Sequence, residues 1–305
     1  MARLLEGKFG VVTGGSRGIG EAIANNLASK GCNLLLVYTS DSSTAPTMQL
    51  CATFSATHII KCYPVQANLS DPKSASEKIL VAAKQYFSSS PSSSTTAFSP
   101  EDTTTTATLQ IDIIVNNAGV AFNQALPDVT LDEFTRHYTI NVLAPLILLQ
   151  TLLPYLPKDR SGRIVNVSSV GSSLGFPNQT VYGGTKAALE AMTRTWAREL
   201  ADRCTVNAVN PGPVKGVMYE GAGEGFWRDL QGWQDHTPLS KVEDSCGDKD
   251  ADNAVFLKLV REKMGGRRPA YASEVAGVVG MLCTADAAWC TGSVVCANGG
   301  MRMNE

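Results

Sequence analysis

Short apolar runs rich in Val, Ile and Leu recur along this chain, and each is followed by an amphipathic stretch of helical length. That alternation constrains the fold more than any other feature, because strand–helix–strand repetition builds a parallel sheet wrapped by helices. Strands are expected at 8–13, 33–38, 58–63, 111–115, 163–168, 204–209 and 293–296. Most of these runs lack polar alternation, as strands buried on both faces do. Helices are expected at 18–30, 43–56, 72–87, 131–156, 179–202 and 273–283, with Ser70 or Asp71 capping the third and Pro72 in its first turn. The expected fold is a doubly wound α/β domain of Rossmann type, spanning 1–305, with a mainly seven-stranded parallel sheet and helices on both faces.

Composition narrows the function. Lys plus Arg is 26 against 28 Asp plus Glu, a net charge of −2, so neither nucleic acid nor an anionic membrane is an expected partner. Apolar residues at 44% and charged residues at 18% suit one globular core. Eight cysteines lie singly with no CxxC pair, and read as small buried apolar side chains rather than disulfides or metal ligands. His58, His137 and His236 have no zinc-ligand spacing. The first strand begins almost at once, leaving no room for a signal peptide, and the longest apolar run, 142–156, contains Pro145, Gln150 and Pro154. A cytoplasmic protein is the expectation.

Two segments break the pattern. In residues 88–108, 14 of 21 are Ser or Thr, a composition that cannot bury a core and reads as a disordered surface insertion. Residues 241–252 (KVEDSCGDKDAD) read as an acidic, solvated loop.

The run TGGSRGIG at 13–20 follows a strand and opens a helix. Gly14, Gly18 and Gly20 allow a tight turn that brings backbone N–H groups to a pyrophosphate, and the helix N-terminus favours the anion. The second strand ends in Tyr38, Thr39 and Ser40 before Asp41. With Arg17 nearby, those hydroxyls suit the 2′-phosphate of NADP(H), whereas an acid in their place would select NAD.

Tyr182 and Lys186 stand four residues apart, on one face of a helix. Ser169 lies 13 residues upstream at the end of a strand, NNAG at 116–119 ends another, and Asn141 falls in the helix that follows. The glycine loop, 116–119 and Ser169 all lie beyond the carboxyl ends of strands, where open parallel sheets bind ligands.

Taken together, TGGSRGIG, NNAG, Asn141, Ser169, Tyr182-x-x-x-Lys186 and Asn210-Pro211-Gly212 resemble the short-chain dehydrogenase/reductase family, in its compact single-domain branch, over nearly the whole chain. The resemblance implies Tyr182 as the general acid that protonates a carbonyl oxygen, Lys186 stabilising its phenolate and holding the nicotinamide ribose, Ser169 orienting the substrate oxygen, and Asn141 positioning a water for proton supply. It also implies that Ser16, Ile19 and Leu69 join the glycines and Arg17 among the cofactor contacts, that Asn68 meets the adenine, and that Asn116, Ala118 and Gly119 line the adenosine and ribose side. Pro211, Gly212 and Val214 would pass under the nicotinamide. Two departures stand out: Lys215-Gly216 follow PGPV where a threonine is frequent, and Ala297-Asn298-Gly299-Gly300 replaces a more usual Asp-Gly-Gly.

The segment at about 215–260 is expected to form a substrate lid, with Met218, Phe226 and Trp227 facing the substrate and Phe176 forming the opposite wall. Its aromatics suit a bulky, aromatic or polyketide-like ketone. The chain is similar to fungal polyketide and hydroxynaphthalene reductases, of secondary metabolism, and to 3-oxoacyl-carrier-protein reductases. The resulting expectation is an NADPH-dependent ketone reductase. The alternatives are 3-oxoacyl-thioester reduction, a non-redox dehydratase or cyclase, and a nucleotide-sensing protein. Apolar surplus at Leu146, Leu149, Leu152, Leu189, Met192 and Trp196, set beside the assemblies of relatives, implies a homodimer or homotetramer.

Overall fold

In a computed structural model that describes residues 3–88, 108–221, 223–242 and 251–303, seven parallel strands run in the order β3-β2-β1-β4-β5-β6-β7. They are β1 (Phe9–Thr13), β2 (Asn33–Tyr38), β3 (Cys62–Gln66), β4 (Ile113–Asn116), β5 (Gly162–Val167), β6 (Cys204–Pro211) and β7 (Val294–Ala297). The order reverses between β1 and β4, which opens a crevice at their carboxyl ends.

Alternation along each strand fills both faces. Val11, Leu35, Val37, Ile114, Ile164 and Val206 join one core, whereas Val12, Leu34, Leu36, Val115, Val165 and Val209 join the other. The first core is covered by α3 (Pro72–Phe87), α5 (Ala144–Leu152) and α6 (Thr180–Glu199). The second lies under α1 (Gly18–Ser29), α2 (Thr44–His58) and α10 (Ala272–Leu282). Helix α1 presents Ile23, Ala24, Leu27 and Ala28 at helical spacing, and these meet Val275, Ala276 and Val279 of α10. At α3, Asp71 is the cap: its side chain accepts from the Ser74 N–H, and Pro72 follows in the first turn.

Three expectations need correction. The third strand is not at 58–63. Helix α2 runs on to His58, Ile59 takes a left-handed conformation (φ 54°), and β3 begins at Cys62. The apolar letters of 59–60 suggested a strand, while Pro64, tolerated because β3 is an edge, concealed the real one. The helix expected at 131–156 is α4 (Leu131–Tyr138), a π-helical turn (Thr139–Leu143) and α5 in unbroken succession. The resulting helical run, Leu131–Tyr155, is long and apolar enough by length and composition to cross a bilayer, contrary to the shorter run expected. Its Leu148, Leu149 and Leu152 are nevertheless buried in the sheet core. Third, the apolar surplus on the long helices is smaller than it looked. Leu149, Leu152, Leu189 and Trp196 are buried within this chain, and Leu146 and Met192 sit partly buried at the same core.

The cysteines behave as expected where they are described: Cys32, Cys51, Cys62, Cys204 and Cys283 are buried and free, and Cys290 and Cys296 are half-buried. Most of the Ser/Thr-rich insertion and of the acidic 241–252 loop lies outside the described residues. After β6 come α7 (Val217–Glu220), α8 (Gly223–Asp235) and α9 (Ala251–Lys263), which carry a third, smaller cluster of Tyr219, Leu230, Phe256, Val260 and Met264.

Candidate active site

Parallel packing brings the ends of β1, β4, β5 and β6 to one edge, where the glycine loop follows β1, residues 117–119 follow β4 and Ser169 follows β5. The glycine loop is shaped by backbone demands. Gly18 has φ 57°, and a Cβ on Gly20 would lie 2.0 Å from the Gly14 carbonyl oxygen, so only glycine lets α1 start this close to the loop. Asn117 holds the loop, its Nδ2 donating to the carbonyls of Thr13 (2.9 Å) and Gly14 (3.1 Å). No side chain caps α1, whose N-terminal N–H groups stay available to an anion.

At the end of β2, Tyr38 is buried, while Thr39 and Ser40 are exposed, as is Arg17 in the glycine loop. Ser40 Oγ lies 2.8 Å from Ser43 Oγ and 3.1 Å from Ser42 Oγ. Asp41, the residue whose charge would oppose a 2′-phosphate, is engaged by Gln66, whose Nε2 donates to its Oδ1 at 2.6 Å. Asn68 is exposed with its Oδ1 accepting from the Ser70 N–H, and Leu69 is buried in the core. Asn116 is buried and its Nδ2 donates to Asn166 Oδ1 at 2.8 Å, so its side chain serves the sheet interior rather than the crevice. Ala118 is held through its N–H to Thr13 Oγ1. Pro211 ends β6, Gly212 packs on Asn298, and Val214 bridges to Ala270, which anchors the entry to the lid.

Ser169, Tyr182, Lys186 and Asn141 converge from three elements. Ser169 follows β5, and its Oγ accepts the Gly171 N–H at 3.1 Å and hydrogen-bonds Tyr182. Burial pushes the Tyr182 phenol above its ordinary value of 10, and the Ser169 bond opposes the shift. Lys186, one helical turn on, donates to the Val167 carbonyl at 2.8 Å with Nζ 5.7 Å from the Tyr182 ring centre. Its ammonium is pushed down to about 8 by burial, partly offset by the negative charge of Glu190. Asn141 sits in the π-helical turn, a feature frequent at functional sites. Its amide spans Val120 in both directions, accepting from the N–H and donating to the carbonyl (both 2.9 Å), and reaches Thr185 Oγ1 at 3.1 Å. A Cβ on Gly119 would meet Asn141 Oδ1 at 3.2 Å and Lys186 Nζ at 3.4 Å, so this corner closes directly on the lysine. A phenol, a cation and a second hydroxyl aimed at one place can protonate a carbonyl oxygen and hold it while charge develops.

A cavity of ≈ 190 Å³ is lined by Asn123, Phe176, Pro177, Asn178, Phe226, Asp229 and Leu230, between the loop that leads into α6 and helix α8. Phe176 and Phe226, expected at the substrate, both line this cavity. Met218 and Trp227 are not in the lining: Met218 is exposed on α7, and Trp227 packs the lid, its Nε1 donating to the Tyr219 carbonyl at 2.9 Å. Asn123, Asn178 and Asp229 were missed. A signal existed for Asn178, whose left-handed φ of 66° follows Pro177 in a turn, but none marked the other two.

A family model described as short chain dehydrogenase matches residues 8–89 and 100–225. The chain is 60% identical to the L-xylulose reductase of Aspergillus niger, over 99% of each chain, and 52% identical to the L-xylo-3-hexulose reductase of Hypocrea jecorina, over 100% of this chain and 99% of that one. Among solved structures it resembles a blue fluorescent protein from a metagenomic library in complex with NADPH, with a TM-score of 0.72 and 28% identity over 98% of this chain and all of the other.

Proposed function

The chain belongs to the short-chain dehydrogenase/reductase family, and on that premise we propose that it reduces a small polyhydroxylated ketone, a ketose of pentulose or hexulose size, to its polyol with NADPH. The observation that carries the substrate class is the cavity. At ≈ 190 Å³ it falls below the roughly 300–1,000 Å³ of sites for drug-sized ligands. Its two asparagines and Asp229 offer donors and acceptors for a row of hydroxyls. A fused aromatic ketone would leave those groups desolvated and unpaired, at a cost of about 1–3 kcal/mol each. The small polar ketose therefore replaces the bulky aromatic substrate suggested by the lid's aromatics, two of which are spent on packing. The names of the two close relatives agree.

The residues fit the cofactor. The uncapped α1 terminus with Gly14, Ser16, Gly18, Ile19 and Gly20 would take the pyrophosphate, and Arg17, Thr39 and Ser40 the 2′-phosphate, with Asp41 occupied by Gln66. Bound there, NADPH supplies the hydride. Ser169 and Tyr182 hydrogen-bond the substrate carbonyl oxygen, and Tyr182, kept protonated by burial, delivers its proton to it. The Lys186 ammonium stabilises the phenolate left behind, and Asn141 fixes the Val120 and Thr185 backbone and hydroxyl around it. The assembly of all four groups argues against a non-redox dehydratase or cyclase.

The test is NADPH oxidation by the purified protein with L-xylulose, L-xylo-3-hexulose, a naphthalenone and an acetoacetyl thioester, alongside binding titrations of NADPH and NADH. Reduction of the ketoses with NADPH bound more tightly is the expected result. Preference for the naphthalenone or thioester would overturn the substrate class, and preference for NADH the reading of Arg17, Thr39 and Ser40.

A further inference from the structure

Glu190 lies one turn beyond Lys186 on α6 and is 8% exposed. No ion pair neutralises it among the described residues. Burying a carboxylate this way is expensive unless its oxygens are well supplied with donors. Here one oxygen takes three. Glu190 Oε1 accepts from Ser168 Oγ at 2.6 Å, Ser172 Oγ at 2.7 Å and Asn210 Nδ2 at 3.3 Å. Asn210 Nδ2 also lies 3.0 Å from the Ser169 carbonyl and 3.3 Å from Ser172 Oγ.

The donors come from the places that carry the chemistry. Ser168 and Ser172 flank Ser169 on either side, and Asn210 directly precedes the Pro211-Gly212 turn. Glu190 itself shares α6 with Tyr182 and Lys186. We propose that Glu190 is a positioning residue for the reduction: its carboxylate ties the end of β5, the end of β6 and α6 into one geometry and sets an acidic group one helical turn from Lys186. The inference rests on the reductase reading, but not on the identity of the ketone.

The electrostatic half can be stated closely because few groups face Lys186. On α6 they are Tyr182 and Glu190; β5 presents the Val167 carbonyl, and the 119–120 loop and the π-helical turn present only neutral Gly119 and Asn141. Among the described residues, Glu190 is the negative side chain that acts on the ammonium. Removing its charge lets burial lower the lysine further, so the alkaline limb of reduction must move to lower pH.

Two variants separate the halves. Glu190→Gln keeps an acceptor oxygen for the serines and loses the charge. Its kcat at pH 6.5 should stay within about threefold of the parent, while the alkaline limb of kcat/KM moves down by about half to one pH unit. Glu190→Ala strands all three donors. Its kcat should fall about 10- to 100-fold with NADPH affinity retained, because the Ser169 backbone is no longer fixed relative to Tyr182. A Gln variant whose limb coincides with the parent's, or an Ala variant with parental kcat, overturns the inference while leaving the reductase reading intact. A parent protein that oxidises NADPH with no ketone overturns both together.

Discussion

The carboxyl edge of the sheet and the lid that follows β6 are built of different materials. At the edge, buried polar side chains are tied in chains: Asn116 to Asn166 and on to Thr193, Asn141 to Val120 and Thr185, Glu190 to Ser168, Ser172 and Asn210. Each chain spans strands or helices distant in sequence, so a reacting group there inherits the rigidity of the whole sheet. The lid has a private apolar cluster around Tyr219, Leu230, Phe256, Val260 and Met264, separate from both sheet cores. Two of its polar ties, Gln234 to the Tyr219 hydroxyl and Trp227 to the Tyr219 carbonyl, are internal to it, while the Leu239 N–H reaches out to the Gly299 carbonyl at 3.1 Å. An edge ring contact of 5.6 Å between Phe176 and Trp233 is one of its links to the loop across the cavity. The two regions therefore differ in how firmly their side chains are tied to the sheet. A small independent cluster can open at a free energy well below global unfolding.

The strongest way to break that division is at the edge. Tyr182→Phe removes one hydroxyl, and reduction should fall about 10²- to 10⁴-fold with NADPH affinity unchanged, as read by steady-state rates and fluorescence titration. Retained turnover would mean that the proton comes from elsewhere. Next is the pH profile of the parent. The Lys186 ammonium is present below about 8 and lost above it, so kcat/KM for reduction should fall about tenfold per pH unit on the alkaline side. Lid variants should leave that limb where it is.

On the lid side, Asp229→Leu should raise KM for the ketose about tenfold through a lost hydroxyl partner, and leave the rate with a simple aliphatic ketone nearly unchanged. Equal losses on both substrates would assign Asp229 to lid packing instead. The smallest effect on turnover is expected from Phe256→Ala. It empties part of the lid cluster, so KM should rise a few-fold while hydrogen exchange quickens in α8 and α9 and stays slow in the sheet. Faster exchange in β5 or β6 would show that lid and edge are one cooperative unit.

Much of the edge was legible in the letters, and for a local reason. TGGSRGIG, NNAG and Tyr182-x-x-x-Lys186 each lie within a single strand-turn-helix or helical turn, where spacing alone decides which side chains share a face. Local reading failed at 59–60, where β-branched residues sit in a left-handed helix end instead of a strand, and at Trp227, whose indole serves the lid's own packing. Asn116 was legible from its motif, but not that its amide turns inward to Asn166.

The sequence by itself determined the alternation of strands and helices, the phosphate-binding turn, and the phenol, lysine and serine that can reduce a carbonyl, because each depends on neighbours within one element. Only the tertiary structure decided which groups line the cavity and which side chains tie the polar cluster together. Asn123, Asn178 and Asp229 come from three separate segments, and Glu190 meets Ser168 and Asn210 across two strands. Their convergence is set by parallel strand pairing and by the packing of α6 and α8. A carboxylate on a helix reads as solvent-facing until the fold closes over it.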